Sequence, residues 1–171
     1  MKIAVTDACI FIELHDLGLT ELFFRLPYEM HTSIDVVNEV LGDQATFLFA
    51  FEQSGKLKIH SIAEAERMEI RRSAFPGALS ENDKTVLFLA GKLNATVLSS
   101  DKAVRKYAKR LGIPYHGILW ILDQLFDNRF LCAEDAALKI EQLIARNLFY
   151  QNNIELIAEM KKRMALWCTL K

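Results

Sequence analysis

At 171 residues, 51% of them apolar, the chain has material for one substantial core with a short appendage and too little for two independent domains. Its 21 Lys and Arg against 22 Asp and Glu leave a net charge of −1, which neither advertises a polyanionic partner nor excludes one. Three widely separated cysteines exclude a C-x-x-C metal or redox motif, and the absence of an uncharged apolar run near the roughly 18 residues of a membrane span, with Asp7 and Glu13 interrupting the N-terminal apolar stretch, predicts a soluble, cytoplasmic protein without membrane contact.

In chain order, KIAVT (2–6) reads as a first strand and YEMHTS (28–33) as a second. Helical periodicity over 34–53 leads to a third strand at KLKIHS (56–61), followed by a helix over 63–73. Ser80 then opens ENDKTVLFLAGK, whose Val86, Leu87, Leu89, Ala90 and Leu93 share one face; Gly91 and Asn94 mark the exit. ATVLSS (95–100) is a central strand, 102–111 a helix, and LGIP a stop that leads into a short strand at 114–117. Another helix covers 118–127. This alternation predicts an α/β fold, helices on both sides of a mainly parallel sheet of five strands.

Beyond residue 127 the pattern is helical only. Residues 133–149 carry Ala136, Ala137, Ile140, Leu143, Ile144 and Leu148 on one stripe, and 153–168 form a more charged helix. The expected organisation is a core at 1–127 with a helical extension at 128–171 packed on it; a dimer interface on the stripe is the alternative.

Asp7 closes the first strand, Asp101 follows the fourth, Asp83 lies in the first turn of the helix before that strand, and Glu39 sits in the helix after the second. Residues just past the carboxyl ends of parallel strands converge on one edge, where ligands bind. Each acid also has a purely structural reading. Asp7 and Asp101 suit helix N-caps, Asp83 completes a capping box with Ser80, and Glu39 suits a solvated helix face with Asp35 one turn earlier. Gathered together, however, carboxylates repel: two unit charges about 4 Å apart interact by roughly 4 kcal/mol at an effective dielectric of 20. Either their pKa values rise or a cation binds, and oxygen-only donors favour Mg²⁺ or Mn²⁺. Such an ion serves hydrolysis of phosphodiesters.

At these residues the sequence resembles the PIN-domain nucleases, including the toxins of toxin–antitoxin pairs. The matching segments are IAVTDACIFI with Asp7, HTSIDVVNEVL with Glu39, LSENDKTVLFLA with Asp83 and TVLSSDKAVRKYAKRLGIP with Asp101, in family order across residues 1–117. The resemblance implies a three-layer α/β/α fold with strand order 3-2-1-4-5. It also implies a catalytic site in which Asp7, Glu39, Asp83 and Asp101 hold Mg²⁺ or Mn²⁺ and cut RNA, with Ser100 positioning a ligand or water. Some family members carry a further acid just after the Asp101 position; here Lys102 and Ala103 follow. A cognate antitoxin protein and a homodimer are the partners the family admits. A catalytically silent module that binds RNA or protein is the competing function.

For substrate contact, DKAVRKYAKRLG points Lys102, Arg105, Lys106, Lys109 and Arg110 away from its apolar face, either to track a phosphate backbone or simply to meet solvent. Arg67, Arg71 and Arg72 make a second candidate patch. Of the four histidines, only His116 falls at a strand end. Most of the Phe residues lie in apolar runs and read as core.

Overall fold

The structure is a computed structural model describing residues 2–40 and 42–169. Five parallel strands, β1 (Lys2–Thr6), β2 (Tyr28–Ser33), β3 (Leu57–His60), β4 (Thr96–Leu98) and β5 (Tyr115–His116), lie in the order β3-β2-β1-β4-β5. Order and direction match the expectation. In β1, Ala4, Val5 and Thr6 are all fully buried, and in β2 Met30, His31, Thr32 and Ser33 are too. Consecutive burial means both faces of the sheet are covered, as in a parallel sheet sandwiched between helices.

The helices of the core are α1 (Ala8–Asp16), α2 (Thr20–Phe23), α3 (Ile34–Glu39), α4 (Gly42–Gln53), α5 (Glu64–Arg72), α6 (Glu81–Leu93), α7 (Lys102–Arg110) and α8 (Ile118–Asp127). The single helix expected over 34–53 is two. Val40 is extended (ψ 149°), which ends α3 directly after Glu39. α6 starts and stops where its residues dictate. Ser80 and Asp83 form a reciprocal capping box, and Asn94 exits in the left-handed conformation (φ 50°) that Asn tolerates.

The terminal helices α9 (Ala133–Arg146), α10 (Leu148–Gln151) and α11 (Ile154–Thr169) are docked on this core. Ile140 and Met160 are fully buried, as is most of Leu143 and Trp167. Polar ties reinforce the packing: Lys139 Nζ donates to the Leu17 carbonyl at 2.7 Å, Arg163 Nε donates to Asp123 at 2.9 Å, and the Tyr150 hydroxyl donates to Glu13. The Arg25 guanidinium also lies over the Phe130 ring, 4.4 Å from its centroid.

Candidate functional site

β1 and β4 are neighbours, so their ends bring Asp7 and the Ser99–Ser100–Asp101 segment together. The Asp7 amide donates to the Leu98 carbonyl at 3.0 Å. Asp7 is only 4% exposed, the N-cap of α1, and its carboxylate accepts three hydrogen bonds. Oδ1 accepts from the Ala8 amide (2.8 Å), and Oδ2 accepts from the Ser99 hydroxyl (2.6 Å) and the Cys9 thiol (3.3 Å). Burial nevertheless pushes its pKa above the ordinary aspartate value, the three bonds oppose that rise, and the negative charge of Asp83 adds to it.

Asp83 is half-buried in the first turn of α6. It accepts from the Ser80 amide (2.7 Å) while its own amide donates to Ser80 Oγ (3.1 Å). Its pKa is raised too, first by burial and further by the charges of Asp101 and Glu39. Asp101 is exposed and caps α7, accepting from the amides of Ala103 (2.6 Å) and Val104 (3.0 Å). Glu39 is exposed and accepts from Asn82 Nδ2 at 2.8 Å. Behind it Ser33 Oγ and Thr85 Oγ1, both buried and 3.0 Å apart, join the start of α3 to α6.

The acids thus form an electrostatic chain in which Asp83 senses Asp7 on one side and Asp101 and Glu39 on the other. The capping readings also hold for Asp7, Asp83 and Asp101, so each carboxylate does local structural service while sitting at the shared edge. Asp35, the rival of Glu39, is already paired: both its oxygens accept from Arg67 Nη2, at 2.9 and 3.1 Å. Among the described residues no three Asp, Glu, His or Cys side chains are grouped closely enough to hold a metal ion. What fits such an ion is the chemistry of the donors: carboxylate oxygens, with Asp7 and Asp83 raised first by burial and further by the charge of neighbouring carboxylates.

Ser99 and Ser100, the latter expected from the resemblance to position a ligand or water, turn to different partners. The Ser99 hydroxyl, fully buried, donates to Asp7 and accepts from the Asp101 amide at 3.1 Å, bridging two of the acids. The Ser100 hydroxyl turns to Glu13 Oε2 at 2.6 Å. A serine accepting from the amide two residues on is a local turn signal that the SSD triplet offered. Glu13 had no such signal. It is brought in by α1, bound by Ser100 and Tyr150, and its pKa is raised by burial, an effect those two bonds and the charge of Arg105 oppose.

On α7, Lys102, Lys106, Lys109 and Arg110 are exposed as expected. Arg105 differs. It is half-buried and leans over the fourth and fifth strand ends, where a Cβ added to Gly117 would lie 3.5 Å from its Nη1. The second basic patch is partly neutralised, since Arg67 pairs with Asp35 and Arg71 with Glu64. His116 stacks on Trp120 with ring centroids 4.1 Å apart and planes 6° from parallel.

No curated protein matches the chain. Among solved structures it is similar to a PilT N-terminus domain protein from the hyperthermophilic archaeon Sulfolobus solfataricus, at 15% identity and a TM-score of 0.44, over 71% of this chain and 91% of that one. A domain of a functionally unknown protein from Methanocaldococcus jannaschii is similar at 20% identity and a TM-score of 0.48, over 69% of this chain and 91% of that one. A sequence-family model described as DUF3368, a PIN domain, matches residues 3–165, nearly the whole chain and all four strand-end acids. The chain therefore belongs to the PIN-domain family.

Proposed function

We propose that the protein is a divalent-metal-dependent ribonuclease whose Asp7, Glu39, Asp83 and Asp101 hold Mg²⁺ or Mn²⁺ at the carboxyl edge of the sheet. The observation that carries this reading is the placement of the acids: Asp7, buried, after β1, Asp101 after β4, Asp83 in the first turn of α6 and Glu39 at the end of α3. A divalent cation there supplies positive charge for ionising a water and for the charge that grows on phosphate oxygens. The chain's own contribution is placement. Ser99 and the Ala8 amide fix the two oxygens of Asp7, and the same Ser99 hydroxyl orients the Asp101 backbone. Asn82 holds Glu39 toward α6. Lys102, Lys106 and Lys109, exposed on the helix that Asp101 caps, offer charge to a phosphate backbone.

Cleavage of single-stranded RNA with Mn²⁺ or Mg²⁺, abolished in Asp7→Asn and Asp101→Asn proteins that still melt cooperatively, is the expected result. Undiminished cleavage by both variants would overturn the assignment. In its finer form the reading makes the chain a cytoplasmic toxin held by an antitoxin protein; growth arrest on expression that depends on Asp7 tests it. Among the described residues no helix is long and apolar enough to cross a membrane.

The alternative, a silent module that binds RNA or protein, draws on one observation. Asp83 and Asp101 direct their carboxylates at backbone amides, and no ready three-ligand group stands among the described residues. Calorimetric titration with Mn²⁺ separates the two: no binding by the purified protein favours the silent module.

A further inference from the structure

Beside the acids lies a pocket of about 310 Å³ that the acid site leaves unused. Its floor and one wall come from the core, through Ser100, Arg105, His116 and Trp120; the other wall is Phe149, Tyr150 and Arg163 from the terminal helices. It is tied to the acidic edge through Ser100, which lines it and precedes Asp101. The lining is aromatic: the His116 and Trp120 rings, stacked on each other at 4.1 Å, come from the core, and Phe149, 48% exposed, from the terminal helices.

The two arginines are not equivalent. Arg163 is engaged by Asp123 and by Glu159. The Arg105 side chain has no ion pair or hydrogen bond among the described residues, and its Nε is buried without a partner. Its nearest carboxylate, Glu13, gives its oxygens to the Ser100 and Tyr150 hydroxyls. The Arg105 charge at the pocket lining, with no hydrogen-bond acceptor on the guanidinium, attracts an anion. An aromatic lining, one guanidinium without a hydrogen-bond partner and a volume at the small end of ligand pockets together describe a site for one aromatic base with its phosphate. A base reaches such a concave site only when unstacked, which selects single strands over duplexes.

We propose that this pocket receives one unstacked nucleotide of a single-stranded RNA, its base against the His116–Trp120 wall and its phosphate on Arg105. The terminal helices then complete a substrate subsite beside the acids. The strand rests on the ribonuclease reading; the nucleotide chemistry does not, because binding is measured without cation or cleavage.

The test is calorimetric titration of the full chain, in chelator, with a single-stranded tetraribonucleotide, with adenosine monophosphate and with inorganic phosphate. Affinity is expected in that order. Trp120→Ala and Phe149→Ala should each weaken tetranucleotide binding fivefold or more, and Arg105→Gln tenfold or more. If Trp120→Ala lowers the melting temperature, Phe149→Ala, at an exposed ring, carries the aromatic arm. Wild-type affinity in Phe149→Ala and Arg105→Gln would overturn the proposal. Phosphate binding as tightly as the mononucleotide would overturn the base site, and the mononucleotide binding as tightly as the tetranucleotide would overturn the strand. Cleavage that is insensitive to Asp7→Asn, alongside pocket-dependent binding, sinks only the ribonuclease reading. Asp7-dependent cleavage with binding unchanged by the pocket variants sinks only the pocket.

Discussion

Replacing Asp7 by Asn should remove activity and, in metal-free protein, raise stability. The Asn side chain keeps Oδ1 for the Ala8 amide but presents an NH₂ where Oδ2 now accepts from Ser99 and Cys9. The Ser99 hydroxyl can rotate to accept, so the loss is the charge-assisted part of those bonds, about 1–2 kcal/mol. Against it stands the cost of keeping an ion in a 4% exposed site, several kcal/mol for a buried carboxylate, with the repulsion of Asp83 added. Because burial is the largest influence on Asp7 and its pKa is raised overall, the second effect wins.

The expected gain is about 1–2 kcal/mol at pH 7, or roughly 2–8 °C in melting temperature for a chain of this size. The sign follows from linkage. A carboxyl whose folded pKa is raised binds its proton more tightly in the native state, so the wild type loses stability as pH rises through that raised value. The advantage of Asn is therefore full above that raised value and shrinks as pH falls through it. Saturating Mn²⁺ should reverse the order, adding about 2.7 kcal/mol to the wild type at a hundredfold excess over Kd and less to Asp7→Asn. Thermal melts at pH 7 and pH 4.5, with chelator or Mn²⁺, read all of this. An Asp7→Asn protein less stable than wild type by more than about 1 kcal/mol in chelator at pH 7 would refute the reasoning.

At Asp101 the acid and the cap can be separated: Asp101→Ala should cost about 1 kcal/mol in urea denaturation through loss of the α7 cap, Asp101→Asn only a few tenths, while both lose cleavage. Equal stability of the two would contradict the capping role of the bonds to Ala103 and Val104. Ile140→Ala, at a fully buried position of α9, should cost about 2–5 kcal/mol and leave one unfolding transition; a separate early transition would show that the terminal helices unfold on their own. Replacing Lys102, Lys106 and Lys109 by Gln should reduce the slope of log K against log salt for single-stranded RNA by about 2, and an unchanged slope would assign that face to solvent alone.

Much of the site's address is legible without coordinates because it rests on short-range rules. Short β-branched and apolar runs mark β1 and β4, and capping residues suit the starts of α1, α6 and α7, so Asp7, Asp83 and Asp101 fall at element ends that a parallel sheet brings to one edge. The break after Glu39 was not legible, since apolar residues continue past it and only the extended backbone at Val40 separates α3 from α4.

Sequence alone determined the alternation of strands and helices, the order in which the acids occur and the caps that hold them, all consequences of contacts a few residues apart. Tertiary structure alone decided which neighbouring side chain does which task. Ser99, not Ser100, reaches Asp7 across 92 positions of chain; Tyr150 reaches Glu13 across 137; Arg67 takes Asp35 and leaves Glu39 at the edge; and Arg105 turns from the basic face into the pocket. Helical and strand periods state which face a residue occupies, but the partner on that face is set by which elements the sheet order and the docking of α9–α11 make adjacent.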